Sequence, residues 1–118
     1  MSLIRRSEER THIITPNSQG GPGRTIGHKI IESDADLWGK GRLFNQTILE
    51  KDCGVGYHVH EDDGEIYLVL SGEAEYNDNG TITTLYPGDV TFTNPGEGHA
   101  ITNHKDEPVV FIALILYE

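Results

Sequence analysis

Four side chains suited to holding a metal ion stand out from the rest of this chain. His58, His60 and Glu65 fall within GYHVHEDDGE, residues 56–65, and His99 closes PGEGH, residues 95–99. Neutral imidazole nitrogens and a carboxylate oxygen together suit a divalent transition metal. Such an ion is held only if the fold brings His99 back to the other three. The function therefore turns on which elements carry these residues.

Those elements read as strands. Candidates run over residues 26–31, 43–50, 55–60, 65–70, 72–76, 81–85, 90–93, 99–103 and 109–116, separated by Gly- and Pro-containing turns. Asn79-Gly80 between two of them predicts a type I′ hairpin, since both residues tolerate positive φ. A single helical turn is expected near Ser33–Trp38, with Ser33 or Asp34 as its cap. Many short strands with almost no helical periodicity predict an all-β sandwich or small barrel. Residues 1–40 divide into an N-terminal arm, loosest over the turn-rich stretch 16–23, and the first strand or strands. Residues 41–118 form the β-barrel, within one domain overall.

Strand geometry links the motif residues. Side chains two apart share a face, so His58 and His60 project together, ~7 Å apart along the strand. Gly64 turns the chain, and Glu65 opens the next strand. An antiparallel pairing of those two strands would set Glu65 beside the histidines, while His99 would approach from the opposite sheet. Glu61, Asp62 and Asp63 read as a solvated acidic turn.

The residues in these two runs resemble the motifs of the cupin superfamily. The first, G-x5-H-x-H-x(3,4)-E-x6-G, is met by His58, His60, Glu65 and Gly72. Its leading glycine would fall at Asp52, with Gly54 and Gly56 close by. The second, G-x5-P-x-G-x2-H-x3-N, is met by Gly88, Gly96, His99 and Asn103, while Asn94 occupies the proline slot and Pro95 follows. The resemblance implies a double-stranded β-helix, the jelly-roll or cupin barrel. It also implies a divalent metal (Mn, Fe, Co, Ni, Cu or Zn) bound by His58, His60, Glu65 and His99. Four protein ligands in an octahedral site leave two positions for water, dioxygen or a chelating substrate. Gly72 and Asn103 are expected to serve structure.

A small carboxylate-type ligand is the expected partner, with dioxygenase, decarboxylase or isomerase chemistry as the enzymatic readings. A non-enzymatic ligand-binding or sensor protein is the alternative. Decarboxylation needs a proton-transfer group, and no second carboxylate is evident inside the barrel. Candidate substrate-binding residues are Asn45 or Gln46, which lie on opposite strand faces, and Tyr67, which shares the face of Glu65. Phe44, Phe92 and Phe111 are expected in the core, and Trp38 in a lid or packing role. His12, His28 and His104 are expected at the surface.

Bulk properties narrow the class further. A net charge of −10 argues against nucleic acid and anionic membranes as partners. No apolar run reaches the ~18 residues of a membrane span, and the first residues do not read as a signal peptide. The single cysteine, Cys53, cannot close an internal disulfide and fits a reducing, cytoplasmic setting. An apolar C-terminal strand and exposed sheet edges predict a homodimer.

Overall fold

A computed structural model describes residues 2–118. Ten strands are present among them: β1 (His12–Pro16), β2 (Arg24–Lys29), β3 (Gly41–Leu49), β4 (Cys53–Val59), β5 (Asp63–Ser71), β6 (Ala74–Asp78), β7 (Thr81–Leu85), β8 (Val90–Thr93), β9 (Gly98–Asn103) and β10 (Val109–Tyr117). They form two antiparallel sheets, ordered β1-β2-β3-β10-β5-β8 and β4-β9-β6-β7. The chain crosses between sheets repeatedly, as a double-stranded β-helix requires, and the expected all-β fold is present.

Alternation explains the core. On β10, Val109, Phe111, Ala113 and Ile115 are buried, and on β5, Tyr67 and Val69 are buried. Leu49 of β3 and Ile101 of β9 complete a fully enclosed cluster between the sheets. Of the three phenylalanines, only Phe111 lies in this cluster. Phe44 is half-buried, and Phe92 is 66% exposed on the outer side of β8. The parity of β8 decides this, because Thr93 takes the inward position. Trp38 is 83% exposed at the left-handed residue ending the short 3-10 turn Asp34–Leu37, so it covers nothing within one chain.

The N-terminal segment is less loose than its composition implies. Within it, β1 pairs with β2 in the register Ile14↔Ile26, and β2 continues onto β3 through Ile26↔Ile48. Pro16 is tolerated because β1 is an edge strand. The Asn79-Gly80 hairpin forms as expected, with φ of 51° and 97°, joining Asp78 to Thr81.

The two motif residues assigned to structure have clear tasks. Gly72 takes φ +82°, and a Cβ there would press into the Pro108 carbonyl. Asn103 is completely buried; its Nδ2 donates to the Leu49 and Glu107 carbonyls at 2.9 and 3.0 Å, and its Oδ1 accepts from Lys105 N–H at 2.9 Å. One amide thus ties three backbone segments together. Asn103→Ala should lower unfolding free energy by about 2–4 kcal/mol, because several buried backbone groups lose their partner at once. Urea denaturation with an unchanged midpoint would refute this role.

Candidate metal centre

The four candidate ligands converge, but by a different route from the one the motif spacing suggests. His58 lies on β4, and His60 follows immediately after that strand. The expected β4–β5 pairing is absent. β4 pairs instead with β9, setting His58 directly opposite His99 in the same sheet. β5 lies in the other sheet, between β10 and β8, and delivers Glu65 from across the barrel. The turn at Glu61–Asp62 carries the chain between sheets, with Asp62 at φ +62°. His60 is fastened there by backbone bonds, its N–H to the Glu97 carbonyl and its carbonyl from Gly96 N–H. The Gly-rich loop before His99 therefore clamps the histidine turn as well as carrying its own ligand.

The donor atoms from His58, His60, Glu65 and His99 all lie within 4.8 Å of one another. His60 Nε2 and His99 Nε2 stand 3.0 and 2.9 Å from Glu65 Oε1, and 3.1 Å from each other. Two ligands at right angles, each ~2.1 Å from one ion, are separated by about 3.0 Å. His58 Nε2 lies 4.0 Å from the same oxygen.

Each imidazole is oriented by its other nitrogen. His58 Nδ1 donates to the Gly56 carbonyl at 2.8 Å, and His60 Nδ1 to Asp63 Oδ1 at 2.7 Å. His99 Nδ1 meets the hydroxyls of Tyr76 and Thr93, both at 2.9 Å. With a proton on each Nδ1, a metal beside Glu65 would take the Nε2 lone pairs; without one, Nε2 of His60 and of His99 donates to the Glu65 carboxylate. The donor set, its spacing and its outer hydrogen bonds therefore fit a divalent transition metal.

The cluster's electrostatics follow from burial. Desolvation pushes Glu65 upward, but hydrogen bonds from His60 and His99 outweigh it and hold the carboxyl below its usual range. The hydrogen bond to Glu65 raises His60, whereas burial lowers His58. The metal-free cluster thus favours an ionised Glu65, and His60 holds a proton more readily than His58 does.

Asp63, read from sequence as part of a solvated turn, is buried. Its Oδ1 accepts from His60 and its Oδ2 from Arg42 Nε at 2.8 Å. Parity carried a signal for it, since Asp63 is two residues before Glu65 and shares its face. Tyr76 and Thr93 were likewise missed, because their meeting with His99 depends on strand order.

A cavity of about 180 Å³ opens onto the cluster, with His58, His60, Glu65 and Tyr67 at its base. Asn45 lines it, together with Thr15, Thr25 and Thr47. Gln46 points away, its Oε1 accepting a 3.4 Å bond from Arg10. Tyr67 stacks on His99, with ring centroids 4.8 Å apart, and burial drives its phenol well above the ordinary range. Ser18 and Gln19 reach the mouth because Gly56 lets the N-terminal loop lie directly on β4. A Cβ on Gly56 would collide with the Gln19 carbonyl and come 2.8 Å from Gly21 N. Gly56, displaced from the motif's leading position, serves that close approach, whereas a Cβ on Gly54 would strike the Ile101 carbonyl of β9.

Comparison with known proteins places these observations in a family. Residues 45–115 match the family model described as Cupin domain. A Thermotoga maritima protein named oxalate-binding protein is 36% identical over 97% of this chain and 93% of its own length. A T. maritima structure described as a predicted oxalate decarboxylase superposes with a TM-score of 0.91 at 35% identity, covering 98% of this chain and all of its own. An uncharacterised Klebsiella pneumoniae protein with a double-stranded β-helix domain reaches a TM-score of 0.69 at 26% identity, over 99% and 91% of the two chains.

Metal affinity should fall as pH drops from about 8 to about 6, because the raised His60 must lose its proton before it can ligate. Calorimetry in buffers of different ionisation enthalpy should register proton release on Co(II) binding near neutral pH. Asp63→Asn should weaken Co(II) by roughly 10–100-fold, as expected when a ligand loses its orienting carboxylate. Unchanged affinity in that variant would remove Asp63 from the site.

Proposed function

This chain belongs to the cupin domain family, and we propose that it binds a small carboxylate at a divalent metal held by His58, His60, Glu65 and His99. The observation that carries this reading is the inward convergence of three Nε2 atoms and one carboxylate oxygen at the base of a cavity. At about 180 Å³ the cavity is smaller than the ~300–1,000 Å³ of sites for drug-sized ligands, which favours an acid of a few heavy atoms. The relative named oxalate-binding protein supports the same ligand class. When bound, the metal supplies Lewis acidity toward a ligand oxygen. Asn45 offers an amide to that ligand, and Tyr67 walls the cavity and fixes the His99 ring.

Turnover as a dioxygenase, decarboxylase or isomerase is the enzymatic form of this reading. One observation favours binding without proton-transfer chemistry. Both Asp63 oxygens are engaged, the Tyr67 phenol is held far above neutrality, and Glu65 is the only carboxylate lining the cavity among the described residues. Metal-loaded protein offered oxalate should bind it, and His58→Ala should abolish both metal and oxalate binding. Carbon dioxide release or oxygen uptake that disappears in His58→Ala would establish an enzyme. Metal-loaded wild-type protein that ignores small carboxylates would overturn the reading.

A second copy of the chain is the partner we infer for the outer face of the larger sheet. There Ile66 lies opposite Phe92, Leu68 opposite Val90, and Leu114 opposite Ile66, with no charged side chain between them. Two chains of net charge −10 repel unless they meet on such a face. Nucleic acid and anionic membranes are disfavoured by the same charge. The lone, buried Cys53 supports a reducing, cytoplasmic setting. No helix among the described residues is long and apolar enough to cross a membrane. Light scattering should give a dimer at micromolar concentration and a monomer for Phe92→Glu; a monomeric wild type would refute the interface.

A further inference from the structure

We propose that Arg42 binds the far carboxylate of a dicarboxylate whose near end sits at the metal centre, so that the site selects dicarboxylates over monocarboxylates. This rests on the carboxylate-binding reading above and adds the residue that sets chain charge and specificity.

A strand irregularity places Arg42 at the site. In the β3–β10 ladder Ile115 pairs with Leu43, but the next residue, Leu116, pairs with Gly41. Arg42 is the extra residue of a β-bulge. Bulges break the strict alternation of side chains and re-aim the residue they contain. Accordingly Arg42 and Leu43, adjacent in sequence, both line the cavity above the metal ligands, which a regular strand would forbid. Gly41 makes the bulge possible, because a Cβ there would strike the Ile115 carbonyl.

The guanidinium is held at one edge only. Its Nε donates to Asp63 Oδ2 at 2.8 Å, and Asp63 is fixed in turn by His60. Among the described residues neither Nη of Arg42 makes a hydrogen bond. Its side chain is 46% exposed, whereas that of Asp63 is 8% exposed. Arg42 is therefore anchored at Nε and partly exposed where it lines the cavity, with planar donors left for an incoming anion. A guanidinium in that state favours paired contact with a carboxylate.

Charge supports the same assignment. Arg42 is the sole Lys or Arg lining this cavity among the described residues. A divalent ion ligated by Glu65 retains one net positive charge, and Asp63 is neutralised by Arg42. A monocarboxylate is satisfied by the metal alone. The second carboxylate of a dicarboxylate needs hydrogen-bond donors of its own, and the unbonded Nη groups of Arg42 are the guanidinium donors lining this cavity. A second cavity of about 260 Å³ adjoins this one and shares Arg42, Asn45 and Thr47, so a slightly longer diacid has room on the same side.

The test uses full-length protein reconstituted with Co(II), with calorimetry and the visible Co(II) bands as readouts for oxalate, malonate and acetate. Arg42→Gln should weaken oxalate and malonate by about tenfold, the effect of one partly exposed charge-assisted contact, and change acetate by less than about threefold. Cobalt content should stay the same. Equal dicarboxylate binding by wild type and Arg42→Gln would overturn the proposal while leaving the carboxylate reading intact. A uniform loss for all three acids would also overturn it, since Arg42 would then act only by neutralising Asp63. Failure of the wild type to bind any carboxylate would remove the premise, and the proposal with it. If Arg42→Gln loses cobalt or fails to fold, Arg42→Lys decides: it keeps the charge but not the fork, and should still lose dicarboxylate preference by more than about threefold. Retention of full preference in that variant would refute the contact.

Discussion

The buried Glu65 carboxylate is the constraint on which the rest of this site depends. A charge enclosed between two sheets costs several kcal/mol unless it is paired and hydrogen-bonded. Here compensation comes from His60 at 3.0 Å and His99 at 2.9 Å, delivered by the opposite sheet. The two sheets of the barrel are therefore joined at one end by polar pairing and elsewhere by the apolar cluster around Phe111, Leu49 and Ile101. A divalent cation bound here would add positive charge beside Glu65 and so would stabilise the folded barrel.

That coupling extends one layer outward. Each imidazole is set by a different kind of partner: a backbone carbonyl for His58, a carboxylate for His60, and two hydroxyls for His99. The differences matter electrostatically. The hydrogen bond to Glu65, with Asp63 adding to it, makes His60 the more basic of the two, whereas the Gly56 carbonyl does too little to offset the burial of His58. The cluster is thus graded, with one histidine that competes for a proton and one that does not. The gradation is set first by Glu65, which reaches His60 from the other sheet, and then by the turn. His60 lies where the chain leaves β4, within reach of the turn's own acidic residue.

The ligand set was legible because it rests on short-range rules. Alternation puts His58 and His60 on one face, and the second motif ties His99 to them. Strand existence and the Asn79-Gly80 turn follow from equally local chemistry. What the sequence concealed is non-local. Nothing between residues 58 and 65 states that β4 pairs with β9 and that Glu65 arrives from the other sheet. Tyr76 and Thr93 were invisible for the same reason. Asp63 was within reach of parity, yet its acidic neighbours made it look like surface. Phe92 was misjudged because a large aromatic ring was assumed to be inward, when strand phase alone decided its side.

The −10 charge of the chain would seem a poor setting for an anion. Range resolves the conflict. At physiological ionic strength, exposed charges are screened beyond about 8 Å, so the acidic surface acts mainly on distant approach. Inside the cavity, interactions are shorter and the effective dielectric is lower, so each nearby charge counts for more. With a divalent metal held by the cluster, the sign there would be set by that ion, by Glu65, and by an Arg42–Asp63 pair whose Nη groups are unbonded. A negative protein can in this way hold a positive pocket. The bulge at Gly41-Arg42 is the backbone feature that brings a guanidinium to this rim, where it balances Asp63.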